Sequence, residues 1–196
     1  MGQSVVVPGS RDVRATLDAP DTDASAVVVA CPPHPQHGGH RGDSRLRAVG
    51  DALGERGVAC LRFDYGAWDE GRGERRDALN AVAWASDRYD RVGLFGYSFG
   101  GAVALLAAAE RPVRAVSALA PAGTLGGESV APAVERIDAP VQVLYGERDT
   151  TVDSEAIADR ARERGGTVAV LSADHFFVGA EERIGDRIAD FLAAHC

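Results

Sequence analysis

The hydrophobic positions of the chain form two alternating patterns, short runs rich in β-branched residues and longer amphipathic stretches. A short apolar run bounded by polar or turn residues is typical of a buried strand. Such runs occupy residues 5–7, 13–17, 27–30, 58–63, 92–95, 113–119, 141–145 and 168–171. We therefore expect a strand at each of these places.

The amphipathic stretches between the runs have the spacing of helices. Leu46, Val49 and Leu53 lie at positions i, i+3 and i+7, and Gly57 follows as a C-terminal stop. Further helices are expected through residues 79–84, over 102–110 and 155–164, and at the chain end, where one face carries Ile184, Ile188, Phe191 and Leu192. Repeated strand–helix–strand units with nearly continuous apolar strands indicate an α/β fold, a doubly wound, mostly parallel sheet with helices on both faces.

Length and composition are those of a globular protein. A typical domain has ~150 residues, so the length of 196 residues predicts a single domain over residues 1–196. The apolar fraction of 45% and the charged fraction of 26% exclude a disordered chain. We find no internal repeat and no low-complexity linker.

The charge balance excludes one class of partner. The 21 basic and 29 acidic residues give a net charge of −8, whereas nucleic-acid binders need a basic face. Every basic residue is Arg, which suits either a GC-rich genome or a salt-adapted surface. No apolar run approaches the ~18 residues of a membrane span, and no basic leader begins the chain. We therefore expect a cytoplasmic protein with neither a nucleic-acid nor a membrane partner.

The cysteines and the clustered histidines do not have metal-site spacing. Cys31, Cys60 and Cys196 are odd in number, and two of them lie in apolar runs, so we expect reduced thiols packed as small hydrophobes. Three histidines, His34, His37 and His40, follow the early strand in a loop rich in Pro and Gly rather than on a helix. We predict no metal and no cofactor.

A G-x-S-x-G motif supplies the candidate nucleophile. Residues 96–100 read G-Y-S-F-G, directly after a predicted strand and directly before a predicted Ala-rich helix. In that context the motif forms a sharp elbow that raises the Ser98 hydroxyl above the sheet edge at a helix N-terminus. The alternative is an ordinary Gly-rich turn.

A serine nucleophile needs a histidine base and an acid, in the chain order Ser, Asp or Glu, His for this topology. Asp149 follows the strand 141–145, and Glu147 is a nearer but weaker competitor. His175 follows the last strand, whereas His195 lies one residue from the end of the sequence. The alternatives are a helix N-cap or turn acid at Asp149 and a structural histidine at His175.

An oxyanion hole needs two backbone N–H donors. One is expected from Phe99, the residue after the candidate nucleophile, and the other from the loop over residues 31–40. The prolines and glycines of that loop leave Gln36 or His37 as the expected second donor.

Five motifs follow one another in order along the chain: P-P-H-P-Q-H-G-G, L-R-F-D-Y-G, G-Y-S-F-G-G, Y-G-E-R-D and A-D-H-F-F-V-G. In these motifs the chain resembles the small dienelactone-hydrolase-like group of the α/β-hydrolase superfamily. The resemblance covers nearly the whole chain, but residues 64–68 lack the Arg-Gly continuation of many relatives. It implies an α/β-hydrolase fold and a catalytic triad of Ser98, Asp149 and His175 that hydrolyses esters or related acyl bonds without a cofactor.

The segment 120–140 is too short for a cap domain, because its 21 residues hold one short helix at most. We therefore expect an open cleft, lined by Gln36, Tyr65, Phe99, Leu125 and Phe176, that takes small accessible esters. Tyr65, Leu125 and Phe176 are the predicted substrate-binding residues, and ordinary packing is the alternative for each. A partner subunit in a homodimer is the alternative source of the missing wall.

These observations predict a serine hydrolase that cleaves small esters through an acyl-enzyme. A lactone, thioester or short peptide is the alternative substrate, because the motif does not report the leaving group. An interaction protein with a vestigial triad is the alternative from another class. A fluorophosphonate probe separates these classes, since only an activated serine reacts with it.

Overall fold

The computed structural model describes residues 2–21 and 23–196, in which strands and helices alternate. The strands are β1 (Gln3–Val7), β2 (Val13–Asp18), β3 (Ala26–Cys31), β4 (Ala59–Phe63), β5 (Arg91–Tyr97), β6 (Val116–Leu119), β7 (Thr124–Leu125), β8 (Glu128–Ser129), β9 (Val141–Gly146) and β10 (Thr167–Leu171). The helices are α1 (Ser44–Glu55), α2 (Arg72–Ser86), α3 (Phe99–Glu110), α4 (Ala131–Val134), α5 (Glu155–Glu163) and α6 (Glu181–His195). A 3₁₀ turn covers Pro35–His37.

Eight strands form one sheet in the order β1-β2-β4-β3-β5-β6-β9-β10. The strands from β4 to β10 in this order run parallel, whereas β2 is antiparallel to both β1 and β4. The connection over residues 8–12 is too short for a crossover, so β1 and β2 can pair only as an antiparallel hairpin. The prediction of a mostly parallel sheet is confirmed.

Helices cover both faces of the sheet, as the apolar strands require. Along β3, Val27, Val29 and Cys31 face one core, and Ala26, Val28 and Ala30 face the other. Apolar residues of α1 and α6 bury the second face, and those of α2, α3 and α5 bury the first. This arrangement places the loops at the carboxyl ends of the parallel strands along one edge of the sheet.

The main differences from the expected elements lie in the second half of the chain. Strand β6 begins at Val116 rather than at residue 113. The antiparallel hairpin of β7 and β8 was not predicted, although its Gly126-Gly127 turn, with φ of 56° and 81°, is a strong hairpin signal. The expectation of at most one short helix between residues 120 and 140 is confirmed by α4.

All three cysteines are free and buried, as predicted. Burial raises the pKa of the Cys60 thiol to about 12. Within the described residues, no helix has the length and apolarity needed to cross a membrane.

Candidate active site

Ser98 occupies a strained position between β5 and α3. Its backbone has φ 58° and ψ −119°, a conformation that L residues rarely adopt. The surrounding backbone holds it there, because Ser98 N donates to the Leu119 carbonyl at 2.8 Å and Ala122 N donates to the Ser98 carbonyl at 3.2 Å. The predicted elbow is therefore present, with its side chain at the first turn of a helix.

The two glycines of the motif allow the backbone to approach itself closely. A Cβ on Gly96 would lie 2.0 Å from the Gly100 carbonyl oxygen. A Cβ on Gly100 would lie 2.2 Å from the Cys31 carbonyl oxygen. Both positions therefore require glycine, and the second brings α3 against the end of β3.

The structure brings Ser98, His175 and Asp149 into one hydrogen-bonded chain. His175 Nε2 lies 3.0 Å from Ser98 Oγ, and His175 Nδ1 lies 2.7 Å from Asp149 Oδ2. The side chains of His175 and Asp149 are only 7% and 4% exposed. This geometry fits the histidine tautomer in which Nδ1 donates to the Asp149 side chain and Nε2 accepts from the serine hydroxyl.

Hydrogen bonds to both carboxylate oxygens hold the Asp149 side chain in place. Its Oδ1 accepts hydrogen bonds from Thr151 N at 2.8 Å and from Val152 N at 3.2 Å, while Oδ2 faces His175. The competing acid, Glu147, is exposed and accepts instead from Ser172 Oγ at 2.9 Å. The loop after β9 therefore orients Asp149, and not Glu147, toward the histidine.

The loop that carries His175 is held by its neighbours. Asp174 Oδ1 accepts from Phe176 N at 2.9 Å and from Phe177 N at 3.3 Å, so Asp174 stabilises the loop, as expected. His195 lies apart near the end of α6, where its Nδ1 bonds to the Phe191 carbonyl oxygen at 2.7 Å.

The two loop amides expected as the second donor of the oxyanion hole are arranged differently from the prediction. Phe99 begins α3, where backbone N–H groups have no acceptor within the helix. Gln36 N donates to His34 Nδ1 at 3.2 Å, and His37 N donates to the His34 carbonyl at 3.0 Å. Neither Gln36 nor His37 therefore has a free amide in this structure. Pro32, Pro33 and Pro35 have no N–H, which leaves the amide of His34 between β3 and the 3₁₀ turn.

A cavity of about 420 Å³ opens beside Ser98. One wall consists of the rings of His34, His37, Trp68 and Phe99, and Leu125 and Val152 lie among the other lining residues. Burial and the neighbouring His37 lower the pKa of His34, so its imidazole is neutral at neutral pH.

The predicted substrate-binding residues separate into two groups. Leu125 lines the cavity, as expected. Tyr65 instead lies behind its wall, edge-on to Phe99, and donates its hydroxyl to the Pro32 carbonyl at 3.1 Å. Phe176 is 53% exposed and stands edge-on against the His175 ring, outside the cavity lining, which also excludes Gln36.

Sequence reasoning placed Phe99 in the cleft but did not predict that His34, His37 and Trp68 complete its aromatic wall. Trp68 follows β4 at the edge of the sheet where open α/β sheets bind ligands, a signal that could have identified it. The stacking of His34 on His37 depends on the conformation of their loop. Among the described residues, no group of three or more His, Cys, Asp or Glu side chains is placed to hold a metal ion.

Comparison with solved structures gives the fold a name. The protein is similar to an alpha-beta serine hydrolase homologue from Coxiella burnetii, with a TM-score of 0.83 and 23% identity over 97% of each chain. It is similar to Est1E from Butyrivibrio proteoclasticus, with a TM-score of 0.85 and 21% identity over 98% of each chain. It is also similar to a serine hydrolase without lid from Xanthomonas campestris, with a TM-score of 0.75 and 23% identity over 95% of this chain and 94% of that chain. The chain therefore has the α/β-hydrolase fold.

The segment between β6 and β9 holds only a two-stranded hairpin and α4, so the fold carries no cap domain. A search of curated proteins finds no significant match. The model of the dienelactone hydrolase family matches residues 64–185, which is 122 of 196 residues. The chain belongs to the dienelactone hydrolase family.

Proposed function

We propose that this protein is a serine hydrolase that cleaves small esters through an acyl-enzyme on Ser98. The observation that carries the proposal is the hydrogen-bonded chain from Ser98 Oγ through His175 to the carboxylate of Asp149. Membership of a hydrolase family and likeness to Est1E and to an esterase from Pyrococcus furiosus support hydrolysis of esters or lactones.

In the first half of the reaction, Ser98 Oγ attacks the ester carbonyl carbon while His175 Nε2 takes the hydroxyl proton. Asp149 holds the ring in the productive tautomer and stabilises the imidazolium that forms. When the tetrahedral intermediate collapses, the C–O bond to the alcohol breaks, and His175 gives its proton to the departing oxygen. The acyl group then remains as an ester on Ser98.

In the second half, a water molecule takes the place of the alcohol. His175 removes a proton from this water as the water oxygen attacks the acyl carbon. When this second tetrahedral intermediate collapses, the bond from the acyl carbon to Ser98 Oγ breaks, and His175 returns the proton to Ser98 Oγ. The product acid leaves, and the enzyme regains its starting state.

Two amides are assigned to the developing oxyanion in this proposal. Phe99 N–H lies at the N-terminus of α3, where the helix dipole favours negative charge. His34 N–H replaces the predicted Gln36 and His37, whose amides are already donated to His34 itself.

A lactone is the second candidate substrate, and the family match favours it. The chemistry is the same, except that the leaving oxygen stays attached to the acyl group and must be kept from returning to the carbonyl. Comparison of a γ-lactone with an open-chain ester of the same acid separates the two candidates.

The proposal is tested by labelling the protein with a fluorophosphonate probe and locating the adduct by mass spectrometry. We expect one label on Ser98, none on a Ser98→Ala variant, and full labelling of Ser86→Ala, which removes an exposed hydroxyl on α2. A folded protein that neither labels nor hydrolyses any ester would instead be an interaction protein with a vestigial triad.

A further inference from the structure

Four rings form one wall of the cavity beside Ser98. The His34 and His37 rings stack with centroids 4.4 Å apart and an angle of 19° between their planes. Trp68 lies 4.6 Å and Phe99 4.8 Å from the His34 ring. Aromatic faces and edges interact best with another planar ring, in offset or edge-to-face contact. This wall therefore favours a flat group over a saturated one of the same size.

Another part of the cavity lining comes from a loop and the β7–β8 hairpin, which contact each other. A Cβ on Gly71 would lie 2.8 Å from the Leu125 side chain, and a Cβ on Gly126 would lie 2.8 Å from the Glu70 carbonyl oxygen. Arg75 of α2 adds an ion pair with Glu128 of β8 at 2.9 Å. The two segments therefore give the cavity a built second wall.

Glu70 is the acidic residue of the cavity lining, and the lining within the described chain contains no Arg. The sequence has no Lys, and burial and the neighbouring His37 lower the pKa of the His34 imidazole. The carboxylate of Glu70 pairs with Arg72 at 3.1 Å, but both side chains are more than 65% exposed, so this pair is weak. A substrate carboxylate would meet the like charge of Glu70 and no Arg or Lys side chain in the described lining.

We propose that the cavity binds a planar, uncharged aromatic group of the substrate, and that Glu70 selects against substrates that carry a carboxylate there. The inference rests on the proposed function and names its substrate class as neutral aromatic esters. It predicts that lactones and esters with an anionic group at this place are poor substrates.

The proposed selection by the Glu70 carboxylate is tested with two esters of nearly the same shape, methyl 4-nitrobenzoate and methyl 4-carboxybenzoate. The measured quantity is the ratio of their kcat/KM values in the wild type and in Glu70→Gln, so that their different intrinsic reactivities cancel. We expect the substitution to favour the anionic ester by about threefold to tenfold at low salt, and by less at 1 M salt. Glu163→Gln, the same change on α5 away from the cavity, should leave the ratio as it is in the wild type. An unchanged ratio in Glu70→Gln would overturn the role of Glu70.

The proposed preference for a planar aromatic group is tested by measuring binding to the Ser98→Ala variant, which cannot hydrolyse the ester. Methyl benzoate is compared with methyl cyclohexanecarboxylate, and phenyl acetate with cyclohexyl acetate, by ligand-observed NMR titration. We expect the aromatic member of at least one pair to bind at least threefold more tightly, and a Ser98→Ala, Trp68→Leu double variant to lose that difference. The first pair reports a ring in the acyl group and the second a ring in the alcohol. Equal binding within both pairs would overturn the proposal.

Failure of this inference can be told from failure of the proposed function. A wild-type protein that labels at Ser98 and hydrolyses esters, but prefers saturated or anionic ones, refutes only the cavity assignment. A protein that neither labels nor hydrolyses refutes the function, whatever the Ser98→Ala variant binds.

Discussion

The Tyr97 hydroxyl donates a hydrogen bond of 3.0 Å to the backbone carbonyl of His175. Tyr97 directly precedes Ser98, so the strand that carries the serine also holds the loop that carries the histidine. The guanidinium of Arg45 lies over the Tyr97 ring, 4.4 Å from its centroid, and donates to the Phe176 carbonyl at 3.0 Å. Side chains of β5 and α1 thus bind two neighbouring backbone carbonyls of the loop that carries His175.

We predict that Tyr97→Phe lowers kcat by about tenfold with little change in KM, because small displacements of the base are costly in the transition state. Loss of one buried hydrogen bond should reduce the free energy of unfolding by about 1 kcal/mol. Steady-state kinetics and urea unfolding measure the two effects. Tyr89→Phe, in the segment that follows α2, is the control for loss of a phenol hydroxyl. If stability falls while kcat does not, Tyr97 supports the fold but does not position His175.

Asp149→Asn should be far more damaging to ester hydrolysis than Glu147→Gln. The amide keeps the shape of Asp149 but favours the wrong histidine tautomer, a change that costs on the order of 10³–10⁴ in kcat in comparable triads. Glu147 bonds to Ser172 and Arg148 at the surface, so its amide variant should stay within about twofold of the wild type. A larger loss at Glu147 than at Asp149 would reverse the assignment of the acid.

Gly100→Ala should destabilise the protein and displace the elbow. The added methyl would lie 2.2 Å from the Cys31 carbonyl oxygen and 2.4 Å from that of Pro32, and these backbone atoms cannot rotate away. We expect a loss of at least about 1–3 kcal/mol in the free energy of unfolding, together with loss of probe labelling at Ser98. Gly54→Ala is the matched control, because a Cβ at this position of α1 meets nothing within 4 Å. It should stabilise the helix by about 0.5–1 kcal/mol.

The parts of the molecule that were predictable are those set by local pattern. The apolar runs and the G-x-S-x-G elbow follow from residue spacing alone, and chain order then points to Asp149 and His175. The cavity walls depend on contacts between distant segments. The hairpin at Gly126 packs on the loop at Glu70, and no periodicity in either segment encodes that contact. The predicted second oxyanion donor in the loop was wrong for a similar reason, because the Gln36 amide donates to the His34 side chain only in the folded loop.

The absence of a cap predicts a preference for short acyl chains. Each methylene of an acyl chain gains ~0.8 kcal/mol only when it is fully removed from water. The segment between β6 and β9 has only the hairpin and the four residues of α4 with which to cover an acyl chain from water. Rates on p-nitrophenyl esters should fall from acetate or butyrate to palmitate, without activation at a lipid–water interface. A rate that rises with chain length in the monomer would contradict this, whereas a rise confined to a dimer would indicate a wall from a partner subunit.

The buried thiols predict a loss of stability in alkali. Burial raises the pKa of Cys60 from 9.0 to about 12 and that of Cys196 to about 11, and it raises the pKa of Cys31 as well. Above pH 9 the unfolded chain therefore loses thiol protons that the folded chain keeps. Because the unfolded state then binds fewer protons, the free energy of unfolding falls as the pH rises, by up to about 1.4 kcal/mol per pH unit for each thiol.

Urea unfolding at pH 8, 9, 10 and 11, with a reductant present, measures this dependence. Stability should be nearly level below pH 8 with respect to these groups and should fall steadily between pH 9 and 11. Cys60→Ala creates a small cavity whose cost does not depend on pH, so it lowers the whole curve but removes the contribution of one thiol to the slope. The wild type should therefore lose stability more steeply than the variant above pH 9. Equal slopes for the two proteins would mean that Cys60 titrates alike in the folded and unfolded chains, contrary to its complete burial.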